Sequence, residues 1–363
     1  MEKVGIKPKV RIGFLRYGIF GLLLLAFVIS CASKAPKYFK IEQLKQNQEF
    51  EQTVKIVVPD ESAPGAVVVA ETTTTTLPAM SVKERKSGKK LKKGKAPVPK
   101  AVESEVPTRR QPELESEEGF AGRRPVIDPF RVGEKLVYSV NYFKVSAGQL
   151  TLENRPYAQV NGRKNYQFRT SIKTSALFSS FYSVDDVVDV LMDFEHLVPS
   201  VFALHVKETS QLREGQMFFD HGKEIATYWE KKVVEKSGEE PKEETKKQEW
   251  EIQPYSQNVF SAAFYLRFFH WEVGKENAFR VANDKENLVF KAKALRKEKL
   301  STDAGEFDAI VIKPEIVLKG VFKPVGDIFI WLSDDDRKYI LRIESKIKIG
   351  TLVSEVVEIQ PGQ

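Results

Sequence analysis

From Lys135 to Ile359 apolar and polar side chains take turns, and that two-residue period limits what this part of the chain can become. Successive side chains of a strand point to opposite faces, so a strand with one buried face is apolar at every second position. Leu136, Tyr138, Val140 and Tyr142 share one face. Leu150 and Leu152 resume the pattern after Lys144-Val145-Ser146-Ala147-Gly148, which reads as a hairpin turn. Tyr166, Phe168, Thr170 and Ile172 repeat it, as do Phe202, Leu204 and Val206 after a turn at Pro199. Further strands are predicted over 216–219, 225–230, 279–281, 288–294, 306–312, 327–332, 339–345 and 351–359. Many strands with Gly, Asn or Asp between them predict a mainly β domain over 129–363, an antiparallel sheet strongly curved or closed into a barrel.

One segment departs from the alternation. Within 256–269, Val259, Ala262, Ala263, Leu266 and Phe269 recur at helical spacing, and Ser256 or Asn258 can cap the start. A lone amphipathic helix among strands is expected to cover one end of the sheet. Ahead of it, residues 231–249 hold six basic and six acidic side chains in nineteen positions, a solvated insertion read as a loop or hairpin tip.

The N-terminus has a different grammar. Lys3, Lys7, Lys9, Arg11 and Arg16 precede an uncharged apolar run from Ile19 to Ile29. Eleven residues of helix rise about 16 Å, short of the ~30 Å hydrocarbon core, so the run reads as the hydrophobic part of a signal peptide over 1–30. It closes on Val28-Ile29-Ser30-Cys31, which resembles the bacterial lipobox. That resemblance implies diacylglycerol on the Cys31 thiol, cleavage before it and acylation of the new amine, because stable anchoring takes more than one acyl chain. By resemblance to enterobacterial lipoprotein sorting, Ala32 rather than Asp after the cysteine implies the outer membrane, with the protein facing the periplasm or the cell surface. Cys31 is the only cysteine, so the domain has no disulfide and no cysteine metal site.

Residues 31–128 read as a disordered tether rich in Pro, Thr and Lys, with Thr72 to Thr76 in one row and almost no large aromatics. A flexible chain of that length spans roughly 50–60 Å r.m.s.. Val54–Val58 and Ala66–Val69 are exceptions, each able to pair with a sheet edge. Lys83–Lys100 carries nine basic residues against Glu84 alone. It reads first as a solvated, self-repelling leash, and in a sharper version as a contact for an anionic envelope surface. The net charge of +7 belongs to this N-terminal third, since residues 130–363 hold 34 basic and 35 acidic side chains. A domain without excess positive charge is not expected to bind nucleic acid.

No catalytic constellation stands out in the sequence. His196, His205, His221 and His270 lack zinc-ligand spacing, there is neither a nucleophile elbow nor a P-loop, and no cofactor is implied. Asp185, Asp186, Asp189 and Asp193 cluster on one predicted strand and Asp334-Asp335-Asp336 in a predicted turn; both groups read as solvated acids. Five residues are candidates to meet a ligand: Tyr138, Asp185, Arg267, Trp331 and Arg342. For each a plain alternative exists, core packing for the two aromatics and internal ion pairs for the arginines, with Asp185 or Glu344 as partners.

Phe130-Arg131-Val132-Gly133-Glu134-Lys135-Leu136-Val137-Tyr138, followed by Ser146-Ala147-Gly148, resembles the opening of the bacterial domain-of-unknown-function family 3108. Tyr182–Asp186, Phe264–Arg267, Thr302–Ala309 and Ile330–Asp335 resemble its later blocks, in order. The resemblance implies a periplasmic location and a β-rich fold, and no particular chemistry. The expected function is that of a non-enzymatic envelope lipoprotein whose domain binds an apolar ligand, such as a lipid, or an envelope protein. An assembly factor with a filled core is the alternative. A cell-wall glycan hydrolase is the third reading, and it requires two convergent carboxylates in a cleft.

Overall fold

A computed structural model describes residues 47–59, 124–209, 211–234, 242–318, 321–323, 328–347 and 350–363. Cys31, Ala66–Val69 and Lys83–Lys100 lie outside the described residues. The alternating segments become strands β2 (Glu134–Tyr142), β3 (Val145–Val160), β4 (Arg163–Thr174), β5 (Asp185–Asp193), β6 (Pro199–Glu208), β7 (Gln211–Asp220), β8 (Ile225–Val234) and β9 (Lys242–Glu251). They continue as β10 (Glu276–Asn283), β11 (Glu286–Thr302), β12 (Gly305–Leu318), β13 (Val321–Lys323), β14 (Ile328–Ser333), β15 (Ile340–Ile347) and β16 (Gly350–Gln360).

Fourteen of these strands run in the spatial order β10-β11-β12-β14-β15-β16-β2-β3-β4-β5-β6-β7-β8-β9. Every neighbouring pair is antiparallel, and β13 adds to β12. The sheet is mainly β as expected, curved rather than closed, since β9 and β10 at its two ends do not pair.

Tight turns explain the meander. Phe143 and Lys144 (φ 48° and 63°), Asn161 and Gly162 (49° and 81°), and Asp284 and Lys285 (43° and 65°) each form two-residue connections with both central residues at positive φ. That geometry matches the right-handed twist of the strands it joins. The first differs from the turn expected over 144–148: Val145 already pairs with Tyr142, and Gly148 lies within β3. A Cβ on Gly148 would come 2.5 Å from the Lys173 carbonyl oxygen, so its glycine serves close approach of β4 instead of a turn. Residues 231–234 and 242–249 of the charged stretch lie within β8 and β9, which pair with each other, so here the expected loop is strand.

The predicted helix is α3 (Val259–Tyr265), followed by a 3-10 turn over Leu266–Phe268. Asn258 caps it: its side chain accepts from the Phe260 and Ser261 N–H groups, while the Ser261 hydroxyl accepts from the Asn258 N–H. The helix meets strands that lie far apart in the sheet. Phe264 stacks on Phe168 of β4 at 4.2 Å, Phe260 on Phe202 of β6 at 5.4 Å, and Tyr265 meets Phe279 of β10 edge-on at 5.1 Å. One helix reaches all three only if the sheet curls around it. Each such ring, buried, contributes roughly 1.5–3 kcal/mol.

A buried ionic knot fastens the helix to the strands. The Arg267 side chain, 1% exposed, places Nη1 2.5 Å and Nη2 3.0 Å from the two Glu134 carboxylate oxygens, and Arg337 adds a third bond at 2.6 Å. Phe130 lies 4.2 Å beneath the Arg267 guanidinium. Gly133, with φ of 81°, turns the chain from Phe130 into β2.

The tether reading requires one correction. Residues 47–57 are part of the folded body, as helix α1 (Gln48–Thr53) and strand β1 (Ile56–Val57). Ile56 pairs with Val160 and Val57 with Gln159 on β3, the edge pairing that Val54–Val58 suggested. Phe50 and Val54 are buried against Ala158, Val160, Leu191, Val201 and Trp229, a small second core separate from the one around α3. Glu49 accepts from Trp229 Nε1 at 3.1 Å and pairs with Lys247. At the other end the boundary moves to Arg124, which bonds Asp128, Tyr166 and the Phe194 carbonyl. A four-residue helix, α2 (Ala176–Ser179), links β4 to β5.

Candidate functional site

Side chains alternate, so strand pairing places residues in rows across the inner face of the sheet. Ile172 sits beside Asp186, and Val206 beside Arg213. Two residues along, Val188 is beside Leu204, which faces Gly215, then Glu230, then Lys246. The next row is Phe202, Met217, Tyr228 and Gln248, and the last is Phe219, Ala226 and Trp250. Together with Asn258, Val259 and Phe260 at the start of α3 and Ala282–Asp284 at the end of β10, these rows line a half-open cavity of about 120 Å3. It lies where the two unpaired ends of the sheet approach each other.

The wall from β5 to β7 is apolar except at one end, and β8 and β9 add Glu230, Lys246 and Gln248. Asp186, 5% exposed, and Asp193, 4% exposed, contradict the reading of this cluster as solvated acids. Asp186 falls in phase with Val188 and Val190, whereas Asp185, Asp189 and Asp193 fall on the opposite face. Burial, and then the charge of Glu208, push the Asp186 carboxyl up to about 7, although the Lys207 N–H donates to Oδ1 at 3.0 Å. Arg213 stands in the same row with its Nη1 3.7 Å from Glu230, beyond hydrogen-bonding range, and with Nε buried and without a partner. Tyr228 donates to Glu230 at 2.8 Å, and burial raises its phenol far above the ordinary value. Its ring lies over Gly215, where an added Cβ would meet the hydroxyl at 2.5 Å; the glycine is what leaves room for it. A buried carboxyl that is half protonated near neutrality, beside a loosely paired guanidinium, can donate to an oxygen and hold a negative charge.

None of the five residues singled out from the sequence lines this cavity. Tyr138 is fully buried on β2 and donates to the Ile340 carbonyl at 2.6 Å. Asp185 is exposed and pairs with Lys173 at 3.3 Å. Arg267 pairs with Glu134 rather than Asp185. Trp331 donates to Glu298 at 2.6 Å and lies under Arg342, which pairs with Glu344 at 3.2 Å and Glu355 at 3.1 Å. All five are engaged within the protein. Asp186, Arg213, Glu230 and Trp250 were the residues to find: Asp186 shares the phase of Val188 and Val190 and Arg213 that of Met217 and Phe219, whereas the apolar residues of β8 fall on both faces and Trp250 is the only one in β9.

A larger recess of about 580 Å3 lies near Arg163, Asp193, His196 and His221. There Arg163 pairs with Asp193 at 2.6 Å, His196 with Asp193 at 3.1 Å, and His221 Nε2 lies 2.8 Å from the Pro199 carbonyl. Among the described residues no group of three or more His, Cys, Asp or Glu is placed to hold a metal ion.

The family model described as "Protein of unknown function (DUF3108)" matches residues 137–357. The chain belongs to the DUF3108 family. No curated protein matches this DUF3108 member. Among solved structures, a β-barrel-like DUF1849 protein from Brucella abortus is similar at 11% identity and a TM-score of 0.36, covering 64% of this chain and 99% of its own. A Bacteroides fragilis protein described as exported, with a YmcC-like fold, matches at 8% identity and a TM-score of 0.28, covering 64% and 98%. A Parabacteroides distasonis protein described as a lipoprotein matches at 10% identity and 0.25, covering 65% and 100%.

Proposed function

We propose that this DUF3108 protein is an envelope lipoprotein, anchored through Cys31, whose domain binds the apolar part of a ligand in the half-open cavity without transforming it. The observation that carries the reading is the cavity itself. Ile172, Val188, Phe202, Leu204, Met217 and Phe260 wall it, and it opens at the sheet's free edge. Its size suits an apolar group on the scale of a benzene ring, so part of a chain enters and the rest lies along the mouth. The signal-like N-terminus and the single cysteine support the location. Polar side chains also line the cavity, Asp186, Arg213, Glu230, Lys246 and Gln248 among them, but the greater part of the wall is aliphatic and aromatic, which supports an apolar occupant over a sugar.

A second reading, docking of an envelope protein, is favoured by β9, whose outer edge takes no strand among the described residues. Seven of its ten residues are charged, a pattern that discourages strand addition, and this ranks the reading second.

The test is extraction of the purified native protein with organic solvent, followed by mass spectrometry, beside a Leu204→Trp variant that fills the cavity. An apolar molecule recovered from the native protein and missing from the variant is expected. Its absence from both, or equal recovery from both, overturns the reading. For the anchor, labelling with a radioactive fatty acid is expected to mark the native chain and to leave Cys31→Ser unlabelled and released from membranes.

A further inference from the structure

We infer that the cavity takes an amphiphile with an anionic oxygen headgroup, seated against Arg213, its chain running along the inner face of the sheet toward Phe202 and Trp250. The inference rests on the apolar-ligand reading and adds the chemistry of the head.

The unpartnered polar atoms of the cavity are all of one kind. Arg213 Nε, Trp250 Nε1 and Asn258 Nδ2 are buried and without hydrogen-bond partners, and all three residues line the cavity. Each is a donor. Asn258 is 4% exposed, its own oxygen committed to capping α3. Among the described residues, no lining side chain leaves a buried oxygen unpartnered. A buried donor left alone is costly, and the one that is charged, Arg213, asks for an acceptor.

Arg213 decides the sign. A guanidinium stays charged at any accessible pH, and its side chain here is 14% exposed with the nearest carboxylate at 3.7 Å. A carboxylate or phosphate monoester brought to Nε would form the charge-assisted contact that Glu230 does not make. Asp186 in the same row does not oppose this, since burial favours its neutral form and leaves it able to donate as well. Geometry sets the direction of the chain. From Arg213 to Phe219, the row that holds Trp250, is six residues of strand, about 20 Å; on β5 to β7 the side chains between are Val188, Leu204, Phe202 and Met217, while Glu230, Lys246 and Gln248 stand on the β8–β9 side. A small inorganic anion would use the head position and leave that wall bare.

Four probes with one chain length separate the terms: decanoate, decyl phosphate, decanol and decylamine. They would be titrated calorimetrically below their aggregation concentrations into the full chain, freed of lipid and held in an amphipathic polymer. The two anions are expected to bind at least about tenfold more tightly than decanol, and decylamine most weakly. Whichever anion binds tighter identifies the head as carboxylate or phosphate. Arg213→Met is expected to bring the anions down to decanol's affinity while leaving decanol unchanged. Arg213→Lys, which keeps a positive charge but removes the Nε donor and the planar fork, serves where the methionine variant fails to fold, and is expected to weaken the anions by a smaller factor.

Anions and alcohol binding alike overturns the headgroup and leaves the apolar cavity standing. Anion binding indifferent to both variants overturns it too, because the head then lies elsewhere. No binding by any probe, together with an empty solvent extract, removes the apolar-ligand reading and this inference with it.

Discussion

Asp186→Asn is expected to stabilise the domain, and to do so only above mildly acidic pH. In the unfolded chain the carboxyl titrates near 3.8; in the folded domain burial holds it at about 7. The native state therefore binds the extra proton between those two values, and stability falls as pH rises through that window. A shift from 3.8 to about 7 corresponds to ~4 kcal/mol of lost stability once the group is fully ionised, with about 2 kcal/mol already lost by pH 5. Asparagine keeps the shape and the oxygen that accepts from the Lys207 N–H, and it never ionises. Below pH 4 the two proteins should unfold alike. At pH 8 the variant should be more stable by ~4 kcal/mol, or on the order of 10 °C in Tm for a domain of this size. Urea denaturation of both proteins from pH 4 to 8.5 gives the difference curve directly, since the other titrating groups are common to both. A flat difference, or an asparagine variant less stable at pH 8, would refute the burial of an ionisable carboxyl in this row.

Three further outcomes follow from the packing. Glu134→Gln should cost about 3–5 kcal/mol in urea unfolding, because Arg267 is left charged and buried, and Glu134→Met combined with Arg267→Met should recover most of that loss. Phe50→Ala should cost about 3 kcal/mol at most, and should speed proteolysis near Thr53 while leaving the amide exchange of β4 and β5 unchanged. Tyr138→Phe should cost about 1–3 kcal/mol by stranding the Ile340 carbonyl, with ligand binding unaffected, since its hydroxyl faces β15 and not the cavity.

Much of the fold was legible because the alternation of apolar side chains is a local signal. Leu136 to Tyr142 and Tyr166 to Ile172 show it plainly. The helix start was local too, since Asn258 three residues before Ser261 marks the cap. The family blocks become physical once the structure is known. Phe130, Gly133, Glu134 and Tyr138 belong to the knot that ties α3 and β15 to β2, so the opening block records packing rather than a site. The site was harder to read because polar residues on an inner face break the very pattern that reveals the face. Asp186 sits next to Asp185, and only its phase with Val188 distinguishes them. Arg213 and Glu230 are hidden in the same way among charged neighbours. Helix α1 escaped for another reason: six residues are too short for periodicity, and its packing partners Trp229 and Val160 lie more than a hundred residues away in the chain, whereas the strand after it was legible in the apolar run Val54–Val58.

That docked segment changes the mechanics of the whole molecule. If Cys31 carries the lipid, only sixteen residue steps separate it from Asn47, where the folded body begins, a reach of at most about 55 Å. Residues 60–123 follow the docked segment in the chain, so they form no part of the covalent path between Cys31 and Asn47. Tension on the anchor would be borne by Phe50, Val54 and the two-residue pairing with β3, and the lysine-rich stretch would carry none of it.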